Sequence, residues 1–271
     1  MTAAIVEGMQ EVHRWRGTPE QRALRDQVRK LGQFSFFDQQ LGRPDWRGKK
    51  VLDFGASDGN MLRNPDCVIA HEDYWGVDVV KDAMDEGRKA FPRAHWVHYD
   101  RYNCAFNPEG VPNAAVPELG VAFDFILAYS VFTHTTREEM HDLVAQLRGR
   151  LAPGGALAFT FEDPHYRPFP EEFDGNNVEW RLSGGQAILP VSDSPTGRIA
   201  CLPPTADWCS LIDGTTLHVN GNGEWSGESQ TCMTYDVYYT AAFMQREFPD
   251  AEIHAPVNGE MQHCCVLRRP R

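Results

Sequence analysis

The stretch Asp53-Phe54-Gly55-Ala56-Ser57-Asp58-Gly59-Asn60 constrains this chain more than any other. It is fed by Lys50-Val51-Leu52-Asp53-Phe54, a run that reads as a buried strand, and its small residues let the backbone approach a ligand closely. A helix expected directly after the turn would add unsatisfied N–H groups, a setting that suits a nucleotide-like ligand. Nineteen residues after Gly59, Asp78 closes a second strand, Tyr74 to Asp78, where a carboxylate can accept both hydrogen bonds of a ribose diol. Alone, Asp78 would more simply cap the next helix; its position after a glycine turn favours the nucleoside. The dinucleotide fingerprint needs glycines where Ser57 and Asn60 stand, which disfavours nicotinamide and flavin dinucleotides.

Strands and helices alternate from this point, which predicts a parallel sheet. Lys81 to Ala90 reads as a helix, Ala94 to Tyr99 and Phe123 to Tyr129 as strands. Thr136 and Glu139 form a capping-box pattern, and Met140, Leu143, Val144, Leu147 and Leu151 give the helix behind it an apolar face, which Pro153-Gly154-Gly155 is expected to end. Ala156 to Phe161 reads as a fifth strand. Near the end come a helix over 237–248 and strands over 252–255 and 262–267, joined at Asn258-Gly259 as an antiparallel pair. Upstream, Thr18-Pro19-Glu20 starts a helix that runs to about Leu41. Pro65 is expected to stop the helix after the glycine turn within about two turns.

In this order the motifs resemble those of the class I S-adenosylmethionine-dependent methyltransferases. Their acidic-x-G-x-G-x-G motif is matched by Asp53, Gly55 and Gly59, with Ser57 replacing the middle glycine. Gly76-Val77-Asp78-Val79 is similar to the ribose motif, and Asp100-Arg101 to the adenine-edge motif. Phe123 to His134 resembles the fourth strand and the loop bordering methionine and substrate, and Leu151-Ala152-Pro153-Gly154-Gly155 the turn before strand five. The resemblance implies a three-layer, Rossmann-like α/β sandwich with a mostly parallel seven-stranded sheet, its last strand antiparallel. It also implies S-adenosyl-L-methionine as cofactor, held by Asp53, Gly55, Ala56, Ser57, Gly59, Asn60, Asp78, Val79, Asp100, Arg101, Tyr129 and Ser130.

Residues 163–231 match nothing in that family; rich in Gly, Pro, Asn and Trp, they read as a β-rich, antiparallel lid inserted after the fifth strand. The expected division is a helical cover over 1–48, a cofactor domain over 49–162 and 232–271, and the inserted lid. His134, at the carboxyl end of the fourth strand, is placed to take a proton from the acceptor, with His165 and Tyr166 as further candidates. Glu162 and Asp163 beside them can face the acceptor or be exposed. Trp180, Trp208 and Trp225 can line an apolar pocket or pack the insertion, and His13, Trp15 and Phe34 to Phe37 can form a movable cover or pad the sheet.

These residues predict methyl transfer to an oxygen or nitrogen of a small metabolite. Two alternatives stand beside it: a protein that binds S-adenosylmethionine without turnover, and a serine hydrolase built on Gly55-Ala56-Ser57-Asp58-Gly59. A peptide acceptor is possible if the insertion is a docking surface. A formal charge of −12 without basic runs opposes nucleic-acid binding. Seven cysteines with no C-x-x-C pair predict reduced thiols and no metal site, and the lack of leader or long apolar run predicts a cytoplasmic protein off the membrane.

Overall fold

The computed structural model describes residues 32–103, 106–163, 179–182, 208–212, 216–220, 235–257 and 262–271. Its centre is a sheet in the order β3 (His95–His98), β2 (Tyr74–Asp78), β1 (Val51–Phe54), β4 (Phe123–Ala128), β5 (Leu151–Glu162), β11 (Gln262–Arg268), β10 (Glu252–His254). The first five strands run parallel, and β11 is antiparallel to both β5 and β10. This is the seven-stranded Rossmann-like sheet expected from the sequence.

Helices cover both faces. On one side α1 (Gln33–Gln40) and α2 (Lys81–Ala90) bury Phe37, Met84 and Trp96 against Val51, Leu127 and Ala158. On the other, α3 (Arg137–Gly149) and α4 (Ala241–Glu247) bury Leu143, Leu147 and Phe243 against Leu52, Ile126 and Phe159. Each large side chain withdrawn from water in this way contributes roughly 1.5–3 kcal/mol before the entropy of ordering it. The expected capping box is present: Thr136 Oγ1 accepts from the Glu139 amide, and the Glu139 carboxylate accepts from the Thr136 amide.

Four expectations are corrected. The helix after the glycine turn does not form: residues 56–66 run through successive turns, because Ser57 (φ 51°) and Gly59 (φ 94°) take left-handed backbone that no right-handed helix accommodates. α1 begins only at Gln33, since Gly32 (φ 72°) breaks the path; its upstream part lies outside the described residues. Pro153-Gly154-Gly155 does not end α3, which stops at Gly149; it forms an irregularity inside the long β5, where Phe123 pairs with Leu151 but Phe125 with Ala156. Residues 237–239 belong to strand β9 (Tyr235–Tyr239), and α4 starts only after Thr240, whose hydroxyl caps the Phe243 amide at 3.1 Å. Asn258-Gly259 lies outside the described residues.

Three strands of the insertion, β6 (Glu179–Leu182), β7 (Trp208–Ile212) and β8 (Thr216–Asn220), continue the same sheet through β9. Among the described residues of this region β7 and β8 pair antiparallel, whereas β6 and β8 are parallel, so these strands are not purely antiparallel. β9 joins β5 at Tyr238↔Glu162, on the edge opposite Gln262. That edge belongs to β4 further down, where Ala128 pairs with Phe159. The insertion therefore enters the sheet beyond the carboxyl end of β4. No helix among the described residues is long and apolar enough to cross a membrane.

Candidate active site

The chain order reverses between β1 and β4, and in open parallel sheets ligands bind at the carboxyl ends of the strands flanking such a reversal. The glycine turn leaves β1 here. The Val77 carbonyl of β2 accepts the Gly55 and Ala56 amides at 2.8 and 3.1 Å. Gly55 has φ 88°, and a Cβ on it would strike the Val131 side chain in the loop after β4. The turn and that loop are thus in contact, and only a bare backbone fits between them.

Asp78 fastens the turn from the side. Its Oδ2 accepts the Ser57 amide at 2.8 Å and its Oδ1 the Val80 amide at 2.8 Å, at the start of α2. The carboxylate thus braces Val80, the residue before α2, and half-buried it keeps lone pairs for further donors. Burial raises its pKa, while the two amides oppose that rise. The amide donors come from the turn itself rather than from a helix behind it. Val79 packs against the α3 side of the core, and its carbonyl accepts from His98 at 3.1 Å. Asn60 is exposed.

Asp53 is fully buried beneath the turn and accepts the Tyr74 hydroxyl at 2.5 Å, while its other oxygen has no partner. Burial first, and the charge of Asp78 after it, push its pKa up to about 7. It supports the turn from within the core.

Asp100 and Arg101 do not form a couple. Asp100 is exposed and its carboxylate accepts from Asn107 at 3.1 Å. Arg101 is buried and turned the other way, donating to Asp142 of α3 at 2.8 Å and to the Ala114 carbonyl at 3.0 Å.

After β4, Tyr129 packs edge-on against Phe36 and Phe37 of α1, with ring centroids 5.6 and 6.2 Å apart. Phe34, Phe36 and Phe37 are buried, so within α1 they pad the sheet; His13 and Trp15 lie outside the described residues. Ser130 has φ 56°, a strained conformation for a residue with a side chain. Its amide donates to Thr160 Oγ1 at 2.7 Å, and its hydroxyl meets Thr133 Oγ1 and Gln262 Nε2, each at 3.1 Å. Gln262 was not singled out in the sequence, and no local pattern marks it. His134 follows at the end of a 3-10 turn, its ring edge-on to Phe106 at 5.2 Å and its carbonyl accepting from Asn103 at 3.0 Å. His165, Tyr166 and Trp225 lie outside the described residues, as do the side chains of Trp180 and Trp208.

The two acids at the end of β5 separate. Asp163 accepts the Ala241 amide at 2.8 Å, tying β5 to the start of α4. Glu162 lies beside Gln262, and both acids are buried. Among the described residues no group of three or more His, Cys, Asp or Glu side chains is placed to hold a metal ion.

Residues 52–157 match the family model described as a methyltransferase domain. No curated protein sequence matches the chain. Among solved structures, the chain is similar to a glycopeptide N-methyltransferase complexed with S-adenosyl-L-homocysteine, at 14% identity, covering 88% of this chain and 90% of that one, with a TM-score of 0.48. It is also similar to an S-adenosylmethionine-dependent methyltransferase from Clostridium acetobutylicum, at 9% identity over 88% and 90% of the two chains, with a TM-score of 0.49. Magnesium protoporphyrin IX methyltransferase from Synechocystis compares at 10% identity over 92% and 81%, with a TM-score of 0.45.

Proposed function

We propose that the chain, whose residues 52–157 match a methyltransferase-domain model, is a class I enzyme that transfers a methyl group from S-adenosyl-L-methionine to an oxygen or nitrogen of a small organic molecule. The observation that carries the reading is the bare turn at Gly55, clamped by Asp78 and closed against Val131 at the switch between β1 and β4. These residues fit the cofactor: the turn offers backbone without side-chain bulk, and the Asp78 carboxylate retains acceptor capacity for a diol. When bound, the cofactor supplies a methyl group made electrophilic by its sulfonium.

What the protein must add is alignment of the acceptor and exclusion of water. The insertion enters the sheet past the end of β4, beside the strand ends where an acceptor would bind. The expected roles remain with Gly55, Ala56, Ser57, Gly59, Asn60, Asp78, Val79, Asp100, Tyr129 and Ser130 for the cofactor. Asp53 supports their turn from below, and Arg101 holds the end of β3 to α3. For a hydroxyl acceptor, His134 receives the proton; His165 and Tyr166 are its rivals.

Calorimetric titration with S-adenosylmethionine, its demethylated product and NAD, followed by incubation of methyl-labelled cofactor with small alcohols and amines, tests the reading. Binding of the first two but not NAD, with label entering a low-mass product, is the expected result. Label moving only to peptides would overturn the small-molecule assignment.

A further inference from the structure

Side chains alternate along a strand, so on the face of the sheet turned to α1 the β5 residues Ala156, Ala158 and Thr160 form one row. The antiparallel pairing sets Val266, Cys264 and Gln262 of β11 in the row beside it. Both rows are apolar until they reach Thr160, which is fully buried, and Gln262, which is 7% exposed. Valine and methionine would fill the same space without burying a hydroxyl or an amide, so packing alone does not call for these two polar groups. Both meet Ser130, the second residue after β4. Thr160 Oγ1 accepts the Ser130 amide at 2.7 Å, and Gln262 Nε2 donates to Ser130 Oγ at 3.1 Å.

Ser130 has φ 56°, left-handed backbone that a residue with a side chain keeps only where its surroundings enforce it. A third contact joins the two from the strands: Thr133 Oγ1 lies 3.1 Å from Ser130 Oγ within the same loop. The left-handed step sets the direction in which the chain leaves β4. Directly after it Val131 returns to right-handed backbone, with φ −93° and ψ −51°, and opens the 3-10 turn Phe132–His134. Val131 is the side chain that closes on the bare Gly55, and its carbonyl accepts the His134 amide at 3.0 Å. The backbone of Ser130 therefore sets both the gap between this loop and the glycine turn and the seat of His134. It is held from β5 and β11, the strands one and two places beyond β4 in the sheet.

We propose that Thr160 and Gln262 are positioning residues for methyl transfer: acting through Ser130, they hold the loop after β4 against the glycine turn in the shape that receives the cofactor. The inference rests on the methyltransferase reading above. Neither residue is assigned a contact with cofactor or acceptor; the effect of each passes through Ser130. Without the Thr160 hydroxyl the Ser130 N–H loses its acceptor, and without the Gln262 amide the Ser130 hydroxyl loses its donor. Either loss removes part of what sustains the left-handed backbone, and Val131 is then free to move off Gly55.

The test is calorimetric titration with S-adenosylhomocysteine, at a temperature well below the melting transition of every variant used. Thr160→Val keeps the shape and removes the acceptor, and its affinity is expected to fall roughly ten-fold, whereas Thr160→Ser, which keeps the hydroxyl, stays within about two-fold of wild type. Gln262→Met is expected to weaken binding about five-fold in the wild-type background. In a Ser130→Gly background there is no hydroxyl to hold and left-handed backbone carries no side-chain penalty, so adding Gln262→Met there should change affinity less than about two-fold. A role in folding alone would lower the melting temperatures of Thr160→Val and Gln262→Met and leave the affinity of the folded protein unchanged, which overturns the proposal. So does a loss in Thr160→Ser as large as that in Thr160→Val, or a Gln262→Met penalty that persists undiminished in the Ser130→Gly background. Should Thr160→Val not fold, the Gln262 cycle decides alone. If the wild-type protein binds no S-adenosylhomocysteine, the methyltransferase reading fails and the positioning role with it; if wild type and variants bind equally well, only the positioning role fails.

Discussion

The carboxylate of Asp78 accepts the Ser57 amide at 2.8 Å, so the residue at the end of β2 holds the turn that leaves β1. Its second oxygen holds the Val80 amide in the same way. Replacing Asp78 by Asn puts an amide nitrogen opposite one of these two N–H donors, where two donors cannot pair. Asp78→Asn is expected to lower S-adenosylmethionine affinity by roughly ten-fold or more and stability by about 1–2 kcal/mol, as for a lost hydrogen bond to backbone. Calorimetry and thermal melting of the variant check both. Unchanged affinity in a destabilised protein would reduce Asp78 to a purely structural brace.

Asp53 predicts a specific pH dependence of stability. Its folded pKa, about 7, lies above the ordinary carboxylate value of 3.8, so the folded state holds this proton more tightly than the unfolded chain. Its contribution is therefore fully present below pH 4 and is lost as the pH rises towards 7. Asp53→Asn removes the titration. The difference in unfolding free energy between wild type and variant, followed by urea titration, should shift in the variant's favour by a few kcal/mol, order of magnitude, between pH 4 and 8. A difference that stays flat across that range would mean that Asp53 is not protonated in the folded protein.

The strand, the glycine turn and Asp78 were legible in the sequence because each is a local pattern: a β-forming run, small residues, and an acid at a fixed spacing. The missing helix over 56–66 was not. Its residues before Pro65 carry no single decisive breaker, and what excludes the helix is the left-handed path at Ser57 and Gly59, fixed by Asp78 from a different strand. The strand over 235–239 did leave a signal, the β-forming run Tyr235-Asp236-Val237-Tyr238-Tyr239 before the capping residue Thr240. Gln262 and Glu162 gain their relationship only from strand pairing across a hundred residues, which no local pattern encodes.

Arg101 shows the same limit and allows a clean contrast with its neighbour. Its guanidinium donates to Asp142, the Ala114 carbonyl and Tyr99 Oη from a buried position. Arg101→Ala should destabilise the protein by roughly 2–4 kcal/mol, because it removes a buried side chain together with its three hydrogen bonds. Asp100 is exposed, so Asp100→Ala should leave stability within about 0.5 kcal/mol and act on cofactor affinity instead. Paired melting and binding measurements separate the two, and equal effects on stability would contradict the opposite orientations seen here.

Gly87 sits inside α2, where alanine would ordinarily stabilise a helix by about 1 kcal/mol. Here a Cβ would lie 2.6 Å from the Trp96 ring, a rigid group that also packs beneath the glycine turn. Overpacking of this kind costs about 1–3 kcal/mol, so the expected sign is reversed. Gly87→Ala should lower the melting temperature, and a rise would show that the indole can retreat without disturbing the turn.

His134, at the end of the 3-10 turn that follows β4, is the group proposed above to take the acceptor's proton. If it accepts the proton of a hydroxyl acceptor, its removal takes away an interaction made only as the oxygen attacks. The loss must then fall on kcat rather than on binding. His134→Gln is expected to reduce kcat by roughly 10²–10⁴-fold with cofactor affinity unchanged. An amine acceptor that reaches the site already neutral needs no such base, and for it the same variant should lose far less. Measuring both acceptor types in one variant therefore separates a catalytic His134 from one that merely packs on Phe106: packing alone would depress both equally.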